Sequence, residues 1–247
     1  MIKYIFLGLV QGLTEFLPVS SSGHLVIIQN ILGINSNQVA ISVILHLGTL
    51  LAVIIFFRKD ILNLLKNPNL LGKAFVVVII TGIIGVLGRD FFESLFSSPK
   101  SVGAAWIFTG LVLIATKKIT QLNRDKLKFI DALILGLTQG LAIIPGVSRS
   151  GITISTLFFR KIQLKLAFTF SFLVSIPIIL GAALLEARKI ESVPSADIKN
   201  LAAGFVFSFI TGLLALSLLR LIINKAKFYY FGYYCLFMAA ITLLFIK

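Results

Sequence analysis

The sequence predicts an all-α integral membrane protein with an inverted-topology repeat. Each half reads as a re-entrant helical hairpin followed by three transmembrane helices. Three observations lead there. Apolar residues make up 58% of the 247 and charged residues 13%, and mean hydropathy is +1.03; globular domains run about 45–50% apolar and about 25% charged. The stretch Leu7–His24 recurs as Leu135–Ile152, offset by 128 positions, with 10 of 18 residues identical. The cations also fall unevenly between the loops of the two sides. With the end of segment 39–57 placed in the cytoplasm, 15 Lys and Arg lie inside and 7 outside, and Arg149 sits in a hairpin tip. That agrees with the positive-inside rule.

The elements follow in order. Segments 2–17 and 24–34 are a longer and a shorter apolar run around a break rich in Pro, Ser and Gly. Segments 129–145 and 150–159 repeat that design. Non-helical backbone at membrane depth is tolerated only where protein buries it or water reaches it, so both pairs read as re-entrant hairpins. Six further segments, 39–57, 73–89, 101–116, 165–186, 200–222 and 228–246, are expected to span, since a crossing takes about 17–25 residues. A short loop is expected over 58–72. The chain is then a single membrane domain, 1–247, with repeat 1 at about 1–128 and repeat 2 at about 129–247. Three spans is an odd number, so the second half enters the membrane inverted, as in several transporter folds. Both termini then lie outside. The first hairpin enters from outside and the second from the cytoplasm.

Composition excludes several classes. No polar stretch is long enough to fold a soluble domain. The first 22 residues do not read as a removable leader, because Gln11 and Glu15 interrupt the apolar run and the stretch has an internal copy. The net charge of +14 points to anionic lipid rather than nucleic acid. One cysteine, Cys235, excludes an internal disulfide, and two histidines exclude a His-rich metal site.

The chemistry gathers at the two breaks. Gln11–His24 reads Q-G-L-T-E-F-L-P-V-S-S-S-G-H, and Gln139–Ile152 reads Q-G-L-A-I-I-P-G-V-S-R-S-G-I. Glu15 faces Ile143, Ser21 faces Arg149 and His24 faces Ile152 in that alignment. Ionisable groups at membrane depth are costly and mark function by default. Ser20, Ser21, Ser22 and Gly23 precede a helix, as do Ser148, Arg149, Ser150 and Gly151. Helix N-termini suit phosphate, and arginine grips it with two parallel bonds. If the tips meet, they make a phosphate or diphosphate site. Glu15 and Arg149 are expected to pair across it. A plain buried ion pair would account for those two residues, but not for Ser21 and His24 beside them. Ser21 and His24 lie three apart on one helix face, which allows a hydroxyl nucleophile with a nearby base. The same spacing also arises from capping and packing. Gln11, one turn before Glu15, is positioned to line the site. His46 reads as a bundle hydrogen bond, Asp131 as a cap, and Phe228 with Tyr229, Tyr230, Tyr233 and Tyr234 as an interfacial belt.

Residues 11–24 and the run P-G-V-S-R-S-G at 145–151 resemble the motifs of the undecaprenyl-diphosphate phosphatase family, the bacitracin-resistance phosphatases. The likeness runs over essentially the whole chain. A second family of membrane lipid phosphatases shares Ser-Gly-His and Ser-Arg pieces, but its Lys-x6-Arg-Pro start and second catalytic histidine are not found. The resemblance implies removal of the terminal phosphate of undecaprenyl diphosphate at the outer membrane face, recycling a carrier for cell-wall precursors. It implies catalytic roles at Glu15, Ser21, His24 and Arg149, with Ser20, Ser22, Ser148, Ser150 and Gly151 around the phosphate. It also implies help from Mg²⁺ or Ca²⁺, with Glu15 as the ligand offered. Gln11 stands where some members have glutamate, so any ligand or base role there falls to Glu15. Implied partners are a polyprenyl diphosphate lipid, membrane lipids, bacitracin competing for substrate and, left open, a second copy in a homodimer. Either Ser21 or His24 is the nucleophile in such a scheme. The rival from another class is an anion or lipid-phosphate transporter or flippase on the same repeat. Ser21 and His24, present in one half only, favour the enzyme.

Overall fold

The computed structural model describes residues 1–34, 37–96, 98–119, 121–190, 195–224 and 227–246. Lys225 and Lys247, counted among the loop cations above, and Glu191 lie outside the described residues. Regular structure among the described residues is helical, apart from one parallel bridge between Arg124 and Ile162. The first hairpin is α1 (Ile2–Phe16) and α2 (Ser21–Ile31). Then come α3 (Gln38–Phe56), α4 (Arg58–Leu65), α5 (Pro68–Leu87), α6 (Arg89–Phe96) and α7 (Pro99–Ala115), which tightens into a 3₁₀ turn. The second hairpin is α8 (Phe129–Leu141) and α9 (Arg149–Phe159). The chain ends with α10 (Leu164–Ala187), α11 (Ser195–Asn224) and α12 (Tyr230–Phe245).

Local chemistry sets many of these bounds. Pro68 and Pro99 open α5 and α7 at the position where a missing amide costs nothing. Asn67 and Ser98 cap them, accepting from the Leu70 amide at 3.1 Å and the Ser101 amide at 3.3 Å. Five helical stretches, Gln38–Phe56, Pro68–Leu87, Pro99–Lys118, Leu164–Ala187 and Asp197–Ile222, are long and apolar enough to cross a membrane. The chain is a multi-pass membrane protein. The sixth expected span, 228–246, forms a helix of only 16 residues, because Phe228 and Tyr229 sit in the turn that precedes it.

Two short helices depart from the sequence reading. The expected 58–72 loop holds α4 and the first turn of α5. Ile61 and Leu64 of α4 lie three apart on one face and pack on the core, while Arg58, Lys59 and Lys66 stay exposed. That amphipathic spacing is helical. Residues 89–96 form α6, whose Glu93 bonds Lys189 at 2.9 Å and Arg89 at 2.7 Å. The Lys189 ammonium, then the Arg89 guanidinium, hold the Glu93 carboxyl below its usual range.

Packing crosses the two halves. α1 lies along α11, α8 along α5, and α7 along α12. Small residues let backbones close in, as membrane helices require when lipid is as apolar as leucine. A Cβ on Gly8 would stand 2.4 Å from the Gly204 carbonyl oxygen, and one on Gly232 would stand 2.6 Å from that of Gly110. The largest core cluster runs from Phe16 through Trp106 to Phe172 and Leu216. It includes Val19 of the first tip, while Val147 and Ile152 of the second pack with Ala105 of α7 in a smaller cluster. At the base of the second hairpin Asp131 caps α8 by accepting the Lys128 amide at 2.7 Å. It also binds Arg124 at 2.6 Å and Arg160 at 2.7 Å, which ties both ends of the hairpin together.

Candidate functional site

The two tips meet inside the protein. Ser20 sits at φ +64°, in the left-handed region, a strained setting for a residue with a side chain. That turn lets its Oγ cap α2 by accepting from the Gly23 amide at 3.3 Å, and accept from the Gly146 amide of the other tip at 3.1 Å. Gly146 has φ +96°, and a Cβ there would stand 2.5 Å from the Val102 carbonyl oxygen. Ser148 repeats the capping role, accepting from the Gly151 amide at 3.2 Å. Ser150 Oγ donates to the Leu17 carbonyl at 3.3 Å, crossing back to the first tip.

α7 clamps both tips. Trp106 Nε1 donates to the Val19 carbonyl at 2.8 Å. Thr109 Oγ1 donates to the Gly146 carbonyl at 3.0 Å and accepts from the Ser148 amide at 3.2 Å.

Glu15 is the hub between the tips. Its Oε1 accepts from Arg149 Nη2. Its Oε2 accepts from Ser21 Oγ at 2.5 Å and from Gln11 Nε2 at 3.0 Å. His46 Nε2 lies 3.6 Å from the same oxygen. The Glu15 side chain is 4% exposed, Arg149 14% and His46 26%, so access to the carboxylate runs past Arg149 and His46. Two polar atoms here are buried without partners: Arg149 Nη1 and Gln11 Oε1. Buried polar atoms are ordinarily satisfied. Arg149 Nη1 is thus a charged donor without an acceptor beside the carboxylate–serine pair.

His24 faces elsewhere. Nδ1 lies 2.7 Å from the Ser20 carbonyl, which can only accept, so that nitrogen carries the proton. In the neutral ring Nε2 then accepts from Tyr234 Oη at 2.8 Å. The ring stacks on Tyr234 and meets Trp106 edge-on. Both nitrogens are engaged, and the partner of Ser21 Oγ is Glu15 rather than His24. The i,i+3 spacing gave proximity without that bond.

Of the residues expected around a phosphate, Ser20, Ser148 and Ser150 are buried and bonded within the tips. Ser22 Oγ is 3.2 Å from Ser20 Oγ, and the Gly151 amide is taken by Ser148. The amides of Ser21, Ser22, Arg149 and Ser150 open their helices and have no intrahelical acceptor.

His46 and Tyr234 are the residues that sequence reasoning set aside. His46 bonds within its own helix, to the Ser42 carbonyl at 2.8 Å, rather than across the bundle, and its Nε2 stands 3.6 Å from Glu15 of α1. Tyr234, expected in an interfacial belt, turns its hydroxyl inward to His24, and Phe228 is buried. The chain's two histidines both lie in apolar segments, and that was a usable signal for His46.

A cation site needs oxygen ligands. No cluster of three or more His, Cys, Asp or Glu exists among the described residues. Glu15 and the open amide oxygen of Gln11 are the acceptors present. That fits only the mode in which the substrate's phosphate oxygens supply most of the ligands.

Comparison with known proteins gives matches over nearly the whole chain. The family model described as bacitracin resistance protein BacA matches residues 4–241. An undecaprenyl-diphosphatase of Halothermothrix orenii is 42% identical over 94% of this chain and 93% of its own length. One of Carboxydothermus hydrogenoformans is 41% identical over 93% of this chain and 91% of its own length. One of Methanococcus vannielii is 38% identical over 98% of both. With the tips, the Glu15 hub and these near full-length matches together, the chain belongs to the bacitracin resistance protein BacA family.

Proposed function

We propose that this chain is an undecaprenyl-diphosphate phosphatase. It hydrolyses the terminal phosphoanhydride of undecaprenyl diphosphate, giving undecaprenyl phosphate and inorganic phosphate for renewed use in cell-wall synthesis. The observation that carries the reading is the Glu15 carboxylate holding Ser21 Oγ and Arg149 together, with Arg149 Nη1 open beside them. A transporter or flippase on the same helices is not favoured, because the relatives are named undecaprenyl-diphosphatases.

The geometry supports the following course. The diphosphate enters with its prenyl tail between helices. Arg149 Nη1 and the open first-turn amides bind the terminal phosphoryl group. Ser21 Oγ attacks phosphorus as its proton passes to Glu15 Oε2, and the anhydride P–O bond breaks to release the lipid monophosphate. Glu15 hands that proton to the departing lipid monophosphate and then takes one from the water that attacks the phosphoserine; the serine P–O bond breaks, the proton returns to Ser21 Oγ and inorganic phosphate leaves. Phosphoryl transfer depends mostly on positioning and charge stabilisation, and Arg149 supplies both. Mg²⁺ or Ca²⁺, held by Glu15 and Gln11 with the diphosphate, would neutralise part of the substrate's charge. A second version rests on His24, whose Nε2 lone pair is the free-electron end of the ring. There His24 is the nucleophile and Ser21 a binder, and Tyr234 must give way.

The orientation in this proposal follows the cation bias: the site opens to the extracytoplasmic side, both termini lie outside and the second half is inverted. The partner exchange of α1 with α11 and α8 with α5 supports two-fold-related halves. Bacitracin, by sequestering the substrate, competes with the enzyme, and a homodimer is compatible with the exposed apolar faces.

The test is phosphate release from undecaprenyl or farnesyl diphosphate by the purified protein in detergent, followed by trapping of the phospho-enzyme in SDS at neutral pH, where phosphoserine and phosphohistidine both survive. Release and a phosphoserine at position 21 are expected. No release overturns the activity, and label on His24 replaces the serine version with the histidine one.

A further inference from the structure

We propose that the cavity where α3 turns into α4 is a second anion site, and that it takes the phosphate of an anionic membrane lipid. The cavity has a volume of about 590 Å³ between the ends of α3, α4, α10 and α11. Four cations ring it, Arg58, Lys59, Lys165 and Arg220, against a single carboxylate, Asp60. Among the described residues, none of the four cations takes part in an ion pair. The hydrogen bond of the Arg58 guanidinium goes to the Ile55 carbonyl, 3.1 Å away. Like charges gathered around one hollow repel each other, and a bound anion relieves that repulsion while gaining charge-assisted bonds.

The cavity is separate from the Glu15 site. Phe57 and Phe168 form its floor, and they are 2% and 6% exposed. With Phe172 and Phe16 they build a plug of four rings, with the Phe168–Phe172 centroids 5.1 Å apart and the Phe16–Phe172 centroids 5.7 Å apart. Phe16 is next to Glu15 in sequence. His46 of the catalytic hub and Phe57 of the cavity are eleven residues apart, which is roughly 16 Å along the helix. The two sites therefore lie on opposite sides of one aromatic plug and share no residue.

A lipid is the better source of the phosphate than a free ion. α4 turns Leu62 and Leu65 outward, 57% and 59% exposed, beside the exposed Lys59 and Lys66. Such a helix lies in a membrane interface, with its apolar residues among acyl chains and its cations at headgroup level. The aromatic floor suits the first carbons of a lipid, and Thr169 and Asn63 offer neutral hydrogen-bond donors to a headgroup.

Native mass spectrometry of the full chain, with defined lipids added to detergent micelles, tests this. Wild type is expected to retain phosphatidylglycerol and to lose phosphatidylcholine. The double variant Lys165→Gln/Arg220→Gln is expected to bind phosphatidylglycerol roughly tenfold or more weakly. The charge-matched control Lys118→Gln/Lys126→Gln, outside the cavity, should bind as wild type does. Gel-filtration elution identical to wild type reports folding. If the double variant fails it, Lys165→Gln alone should lose about threefold. Equal losses in the cavity and control variants, or no loss in either, overturn the site. Displacement of the lipid by equimolar inorganic phosphate overturns the lipid as the occupant and assigns the cavity to the free anion.

Discussion

At the first hairpin tip Gln11 donates to Glu15, which gathers Ser21 and Arg149. At the second tip the same register holds Gln139 and Ile143. Gln139 donates instead to Thr81 at 3.2 Å, and Ile143 packs near Gly85 of α5. The framework is alike in both: Ser20 and Ser148 cap their helices on Gly23 and Gly151. The recurring stretch thus keeps the residues that shape the tip and divides those the proposed reaction uses. The first tip holds the carboxylate and the hydroxyl, and the second holds the cation. Neither is a site alone.

The strongest way to break this division is at the Glu15–Arg149 ion pair, which joins the two tips. Arg149→Ala should lower phosphate release about 10³-fold, the scale of removing a group that stabilises transition-state charge. It also leaves Glu15 buried without its cation. Arg149→Lys should recover only a small part, because lysine lacks the planar fork. Release above a tenth of wild type in Arg149→Ala would mean that the second tip is scaffold only. The paired glutamines give a finer comparison. Gln11→Leu removes a hydrogen bond to a buried charge and should cost about ten- to a hundredfold in kcat/KM. Gln139→Leu should leave kcat/KM within about twofold and cost about 1 kcal/mol of stability. Similar losses in kcat/KM for both would erase the asymmetry. The smallest effect is expected at Tyr234→Phe, about threefold, from one neutral hydrogen bond to His24. A loss there as large as for Arg149→Ala would move the nucleophile from Ser21 to His24.

Much of this was legible in the sequence because the signals are periodic or punctuated. The Pro-Ser-Gly breaks marked both hairpins, with α1, α2, α8 and α9 close to the expected runs. Glu15 and Arg149 stood out because charge at membrane depth is rare. What was not legible depends on distance in space. The bond from Tyr234 to His24 joins residues 210 positions apart, and nothing local to Tyr234 separates it from Tyr233 or Tyr230. His46 satisfies Ser42 within its own helix, so its position beside Glu15 required the packing of α3 against α1. α4 and α6 were hidden because eight residues flanked by charges resemble a loop in composition.

Trp106 is the chain's only tryptophan. It is fully buried, donates to Val19 and touches the His24 ring edge at 5.1 Å between centroids. A protonated imidazole at that range quenches indole fluorescence, and any shift of the first tip changes the field on the indole N–H. The native protein thus carries on α7 an unlabelled optical reporter of the hairpin proposed to react. Stopped-flow emission from this one residue can follow a diphosphate arriving, reacting and leaving, with no background from a second tryptophan.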